Sequence, residues 1–69
     1  DPEPPMAKTL DELKALRDLV GALESGEMKM RRGGEDITAR EVDILRHEIR
    51  RLEGVLVDLK LRLAVARNA

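Results

Sequence analysis

The sequence predicts a small α+β domain, mostly helical, in which two antiparallel-packed helices are linked by a short β-hairpin and the second helix is extended at its C-terminus. Three observations point there. The only two threonines are each followed three residues later by glutamate, a pattern that opens helices. Apolar residues recur at steps of three and four after each threonine. Between the two periodic stretches, Met and charged residues alternate around a Gly-Gly pair, the signature of a tight turn between strands.

Taken in chain order, residues 1–8 read as a disordered lead-in, because Asp1-Pro2-Glu3-Pro4-Pro5 is acidic and proline-rich. Met6 directly after them fits a natural start, with residues 1–5 an added leader; a short native tail fits equally well. Residues 9–69 read as one small domain. Its first helix spans 9–25, opened by the capping box Thr9-Leu10-Asp11-Glu12, in which hydroxyl and carboxylate each satisfy a free backbone N–H. Leu13, Leu16, Val20 and Leu23 then form an apolar stripe that Leu10 and Leu19 widen. Ser25-Gly26 ends the helix, while Gly21 inside it either costs up to ~1 kcal/mol or permits close packing.

The segment 27–38 reads as a charged hairpin with strands near 28–31 and 35–38 and a turn at Gly33-Gly34. Such strands do not stand alone, so Met28, Met30 and Ile37 are expected to lie against the helices as core cover. A second helix, 38–67, starts at the capping box Thr38-Ala39-Arg40-Glu41, with Ile37 and Val42 placed for a hydrophobic staple. Val42, Leu45, Ile49, Leu52, Leu56, Leu59, Leu63 and Ala66 step alternately by three and four, a heptad seam. In a parallel dimer Glu41 would face Arg46, but Glu48 would face Glu53 and Arg62 would face Arg67, so the charges do not specify that pairing. The first half of the seam is expected to pack on the first helix.

The second half needs a different partner on this reading. A helix from 39 to 67 is about 43 Å long and the first helix only about half that. Beyond Gly54, where a break is open, Val55, Val57, Leu59, Leu61, Leu63 and Val65 alternate strictly with other residues. That pattern is apolar all round on a helix and one-sided on a strand; the Leu, Ala, Lys and Arg content and an Asp58–Arg62 spacing of four favour helix. Either way the segment exposes apolar surface in a monomer, which makes those six residues candidates for a partner contact.

Composition narrows the function classes. There is no aromatic residue and no cysteine, so the core has only aliphatic side chains and Met, and neither disulfide nor zinc–thiolate site can staple it. Burial against other chains is the remaining route to stability, so a homo-oligomer or a subunit of something larger is expected. Thirteen Lys and Arg against 14 Asp and Glu leave a net charge of −1, which lacks the field nonspecific nucleic-acid binding needs. The stretch from Val55 to Ala66 is broken by Asp58, Lys60 and Arg62, so no membrane partner is expected, and the N-terminus has no secretory pattern.

One Ser, one His and no Cys or Tyr leave little for catalysis: Ser25 stands at a helix end and His47 at an outer heptad position. The Arg-Gly-Gly-Glu run lacks the Gly-Lys-Ser/Thr of a phosphate loop, and the acids are too dispersed for a calcium site. No enzyme activity, cofactor, metal or small-molecule ligand is expected. Two basic groups remain, Lys29, Arg31 and Arg32 on the hairpin and Arg46, Arg50 and Arg51 on the second helix. Asp43 and Glu53 lie three residues from Arg46 and Arg50 and favour local pairing; the hairpin group is less compensated and is a candidate contact for a protein partner or passing DNA.

The order helix, Ser-Gly, Gly-turn hairpin, Thr-capped helix resembles the gpW family of phage head-to-tail joining proteins over roughly 13–53. The closest part is Thr38, Val42, Leu45, Ile49, Leu52 and Glu53, followed by Ala15-Leu16, Leu19, Leu23 and Gly26 in the first helix. The hairpin is shorter here, Glu48 stands where an aromatic residue is common, and the stretch after Gly54 has no counterpart. The resemblance implies a non-enzymatic virion subunit, assembled in the bacterial cytoplasm, that binds the portal as an oligomeric ring and joins head to tail. It would place 55–65 against the portal or a neighbouring subunit and the hairpin toward the channel or the next ring, with incidental contact to packaged DNA. The rival reading is a coiled-coil or helical-hairpin dimerisation module built on the seam from Val42 to Ala66, with a regulatory or scaffolding role. A DNA-binding reading ranks last: Ile37–Leu45 resembles the first helix of some helix-turn-helix domains, but no recognition helix follows.

Overall fold

The structure is a computed structural model that describes residues 4–68. Helix α1 runs Pro4–Ser25, strands β1 and β2 are Arg31–Arg32 and Glu35–Asp36, and helix α2 runs Thr38–Asn68. The two strands pair antiparallel, with Arg31 opposite Asp36 and Arg32 opposite Glu35. The predicted architecture is the observed one: two antiparallel helices, a short hairpin between them and a long second helix. The strands are two residues each, shorter than the spans expected near 28–31 and 35–38.

The first helix starts earlier than Thr9. Residues 4–8, expected as part of a disordered lead-in, are helical, and residues 1–3 lie outside the described residues. Proline suits a first helical turn, because the N–H it lacks has no partner there in any case. Thr9 is therefore interior to α1 and cannot cap it. Its hydroxyl donates back to the Pro5 carbonyl (2.9 Å), and the residue is buried.

At the other end of α1, Gly26 takes the positive φ (85°) that favours glycine, and the Ser25 hydroxyl donates to the Ala22 carbonyl (3.1 Å). The amide of Met28 returns to the same carbonyl (3.1 Å). Gly33 and Gly34 carry φ of 58° and 84°, the pair of positive values a type I′ hairpin turn requires.

Thr38 does not act as the cap of α2. The amide of Glu41 donates to the Ile37 carbonyl (2.9 Å), which makes Ile37 the cap residue and Thr38 the first helical one. The Asp36 carboxylate supplies the capping oxygen: it accepts the Thr38 amide (2.9 Å) and the Thr38 hydroxyl (2.6 Å). Thr38 Oγ1 in turn accepts the amide of Met30 (3.0 Å), and the Ile37 amide donates to the Met30 carbonyl (2.9 Å). The residue expected to close a capping box instead ties the hairpin to the helix start. Ile37 and Val42 are both half-buried but stand at the cap and fifth helical positions, one place off a staple.

Two ion pairs mark the antiparallel alignment, Arg17 with Glu53 (3.2 Å) and Arg46 with Glu24, and in both the residue numbers sum to 70 (17 with 53, 24 with 46). Extending that register sets Pro4 level with about residue 66. Because α1 has 22 residues, about 33 Å, it flanks most of α2. The expectation that the first helix covers only the first half of the seam is thus overturned: Leu56, Leu59 and Leu63 are half-buried on the same side as fully buried Leu52. Leu13, Val20 and Leu23 supply the buried side of α1. Helix α2 is unbroken at Gly54, and 55–66 are helical rather than a strand. The described molecule is a rod of 56 × 19 × 18 Å.

Candidate interaction surface

On a helix, residues separated by three and four share a face. Leu45, Ile49, Leu52, Leu56, Leu59 and Leu63 form the face of α2 that meets α1, every one buried or half-buried. Gly54, Val57, Leu61, Ala64 and Val65 repeat at the same steps on the opposite side and are all exposed. Val57 is 57% exposed, Leu61 61% and Val65 70%. They present on the order of 300–400 Å² of aliphatic surface, the size of the largest apolar patch on an ordinary monomer, which is often functional. Continuing toward the N-terminus of α2, the same face becomes polar: Asp43, Arg46, His47 and Arg50 surround a shallow depression.

The six C-terminal candidates therefore divide. Leu59 and Leu63 belong to the intramolecular seam and are withdrawn from a docking role by α1. Val57, Leu61 and Val65 form the free stripe. Val55, 38% exposed, lies on a flank with Ile44, 51% exposed. Strict alternation concealed this division, because residues two apart on a helix stand about 160° apart, and which of the two sides is covered depends on the partner helix. Gly54 and Ala64, which complete the free stripe, were missed because small residues carry little hydropathy; their steps of three to Val57 and Leu61 are the signal that finds them.

The hairpin cations Lys29, Arg31 and Arg32 are all exposed at the opposite end of the rod. Register pairs Arg31 with Asp36 and Arg32 with Glu35, so the tip is more charge-compensated than expected. Hydrogen bonds from the Thr38 hydroxyl and amide, with help from Lys29 and Arg31, hold the Asp36 carboxyl below its ordinary value. Met28 is 45% exposed and does not act as core cover, whereas Met30 and Ile37 are half-buried.

Local pairing of the second basic group also differs from expectation. Arg46 reaches across to Glu24 instead of Asp43, and Glu53 is taken by Arg17. Glu24 raises the Arg46 guanidinium above its ordinary value by hydrogen bonding and charge. Arg51 clasps Glu48 with two of its nitrogens and lowers that carboxyl. Asp58 and Arg62 form the expected pair four residues apart (3.0 Å).

An open concavity of about 650 Å³ lies where the end of α1, β2 and the start of α2 meet, lined by Leu23, Glu24, Asp36, Thr38, Val42 and Arg46 among others. Its one hydroxyl, Thr38, is committed to Asp36 and Met30, and Arg46 to Glu24. Ser25 is likewise engaged in the helix end, and His47 stands exposed on α2. Among the described residues no group of three or more His, Cys, Asp or Glu can hold a metal ion, and no helix is long and apolar enough to cross a membrane. No protein family, curated protein or solved structure matches the chain.

Proposed function

We propose that the chain is a non-enzymatic structural adaptor whose working surface is the free face of α2 beyond Gly54, and that it serves as a head-to-tail joining subunit of a phage or phage-like particle. The observation that carries the interaction role is the second apolar stripe, Val57, Leu61 and Val65, facing away from α1. An aliphatic stripe of that size is stabilised by an apolar partner and not by water. The phage assignment rests on the sequence resemblance, and it is supported by the same order of elements in the structure: helix, Gly-turn hairpin, helix.

In this reading the portal, or another connector protein, and neighbouring copies of the chain cover the stripe in the assembled particle. The hairpin end, bearing Lys29, Arg31 and Arg32, faces the channel or the next ring. The rival dimerisation module would use the seam from Val42 to Ala66. That seam is occupied by α1 within one chain, which favours the adaptor.

The solution mass of the chain, alone and with purified portal protein, tests the assignment. A many-copy complex formed only on the portal supports it; indifference to portal refutes it. Deleting 55–69 is a poor control, because Leu56, Leu59 and Leu63 leave the fold's own seam with it. Leu61→Lys removes the stripe without touching that seam.

A further inference from the structure

We propose that the occupant of the free stripe in the isolated protein is a second copy of the same chain, docked antiparallel about a two-fold axis at Leu61. The inference goes beyond the adaptor assignment and does not depend on it.

The charge distribution along this one face selects the geometry. From Gly54 to Val65 it is aliphatic or small, with the polar Asn68 at its end, and its N-terminal half carries Asp43, Arg46, His47 and Arg50. A parallel pair that matched aliphatic with aliphatic would also set His47 on His47 and Arg50 on Arg50, and Arg50 has no ion-pair partner among the described residues. A fully overlapped antiparallel pair would lay the aliphatic half on those charges and desolvate them, Arg50 without an ion-pair partner among the described residues. An antiparallel pair overlapping only over 54–68 avoids both. It matches Leu61 with Leu61 and Val57 with Val65, and it carries each Arg50 outward into solvent at opposite ends.

The flank of the stripe is self-complementary in that alignment. Asp58 and Arg62 pair within one chain (3.0 Å), and both are more than half exposed. With the axis at Leu61, Asp58 of one copy lies near Arg62 of the other, and the reverse, so two intramolecular pairs join into a four-membered cluster. Gly54 and Ala64 carry little or no side chain at the stripe's edges, and a Cβ at Gly54 would meet nothing within 4 Å, so neither blocks close approach. The interface is well below the roughly 800 Å² per partner of a standard stable complex, so the dimer is weak and reversible, and a partner that takes the stripe displaces it.

Because the chain has no cysteine, single-cysteine variants report the geometry directly. Sedimentation equilibrium of the full chain is expected to show a monomer–dimer equilibrium with no larger species, weakened at least tenfold by Leu61→Lys. A short bis-maleimide is expected to link Leu61→Cys into covalent dimers and to leave Arg50→Cys monomeric. Asp58→Arg is expected to weaken the dimer several-fold, and adding Arg62→Asp to restore it, with circular dichroism checking that α2 stays helical in each. Efficient linking of Arg50→Cys would reveal a parallel pair and overturn the proposal. So would a monomer at every concentration, or association that continues past the dimer. Any of these leaves the portal experiment unaffected, so failure of the dimer and failure of the adaptor reading are told apart.

Discussion

Leu13→Ala is the perturbation that probes the fold most directly. Leu13 is 1% exposed, the most completely enclosed large side chain among the described residues, and only Val20, Leu23 and Leu52 accompany it as buried core residues. Leu→Ala at an enclosed site loses the transfer free energy of the removed carbons and leaves a cavity, together about 2–5 kcal/mol. A rod with α1 on one side of α2 and solvent on the other relaxes more easily than a globular core, which places the loss nearer 3 kcal/mol. A domain of this size without disulfide or metal is held by roughly 3–5 kcal/mol in all. The variant is thus left with about 0–2 kcal/mol, and a melting temperature lowered by at least about 12 °C at ~4–8 °C per kcal/mol. Thermal melts followed by circular dichroism at 222 nm, at low micromolar protein to suppress self-association, measure it. Leu61→Ala in parallel is expected to shift the melt by no more than a few degrees, since Leu61 is 61% exposed. Equal shifts for the two variants would refute the assignment of core and free face to opposite sides of α2.

The junction between hairpin and α2 gives a second test: Thr38→Ala is expected to cost about 1 kcal/mol and to speed hydrogen exchange at the Met30 amide, and Thr38→Ser to restore most of both, because the hydroxyl alone accepts that amide. Gly21→Ala is expected to stabilise by up to about 1 kcal/mol in urea unfolding, since Gly21 is helical and exposed and an added Cβ there meets nothing within 4 Å. Gly34→Ala does the opposite, because φ of 84° strains any side chain with a Cβ, and amide spectra of Arg31 to Asp36 report loss of the turn. The pH dependence follows from Asp36 and Glu48, both held below their ordinary values, 3.8 and 4.5, by Thr38 and Arg51 respectively. A depressed carboxyl contributes stability that is present above its unfolded value and is lost as pH falls through the folded one. The melting temperature is therefore expected to decline below pH 4.5, and carboxyl carbon shifts to titrate below 3.8 for Asp36, a midpoint that Thr38→Ala moves up.

The element order, the turn and the burial of the first half of the seam were legible in the amino-acid order. Local rules suffice for these: steps of three and four specify a helix face, and two adjacent glycines specify a turn that needs two positive φ values. The helix starts were less well determined. Thr9 and Thr38 both carry the capping-box pattern, yet one lies inside α1 and the other serves the hairpin. Whether a hydroxyl caps its own helix depends on which backbone groups tertiary packing brings within reach, and in α1 the prolines at 4 and 5 open the helix instead.

Which apolar residues of the C-terminal half are free depends on how α1 packs along α2. Val57, Leu59, Leu61 and Leu63 all belong to one alternating run; Leu59 and Leu63 also continue the heptad seam, but nothing local says whether α1 extends far enough to cover that part of it. The distinction comes from the register of α1, marked by contacts between residues 36 and 22 positions apart at Arg17–Glu53 and Glu24–Arg46. That alignment carries the N-terminal turns of α1 along Leu56, Leu59 and Leu63 and leaves Val57, Leu61 and Val65 facing water. Side-chain pattern acts over three or four residues; the choice of covered face is made by a partner helix some forty residues away, and that is where the candidate site of this protein is decided.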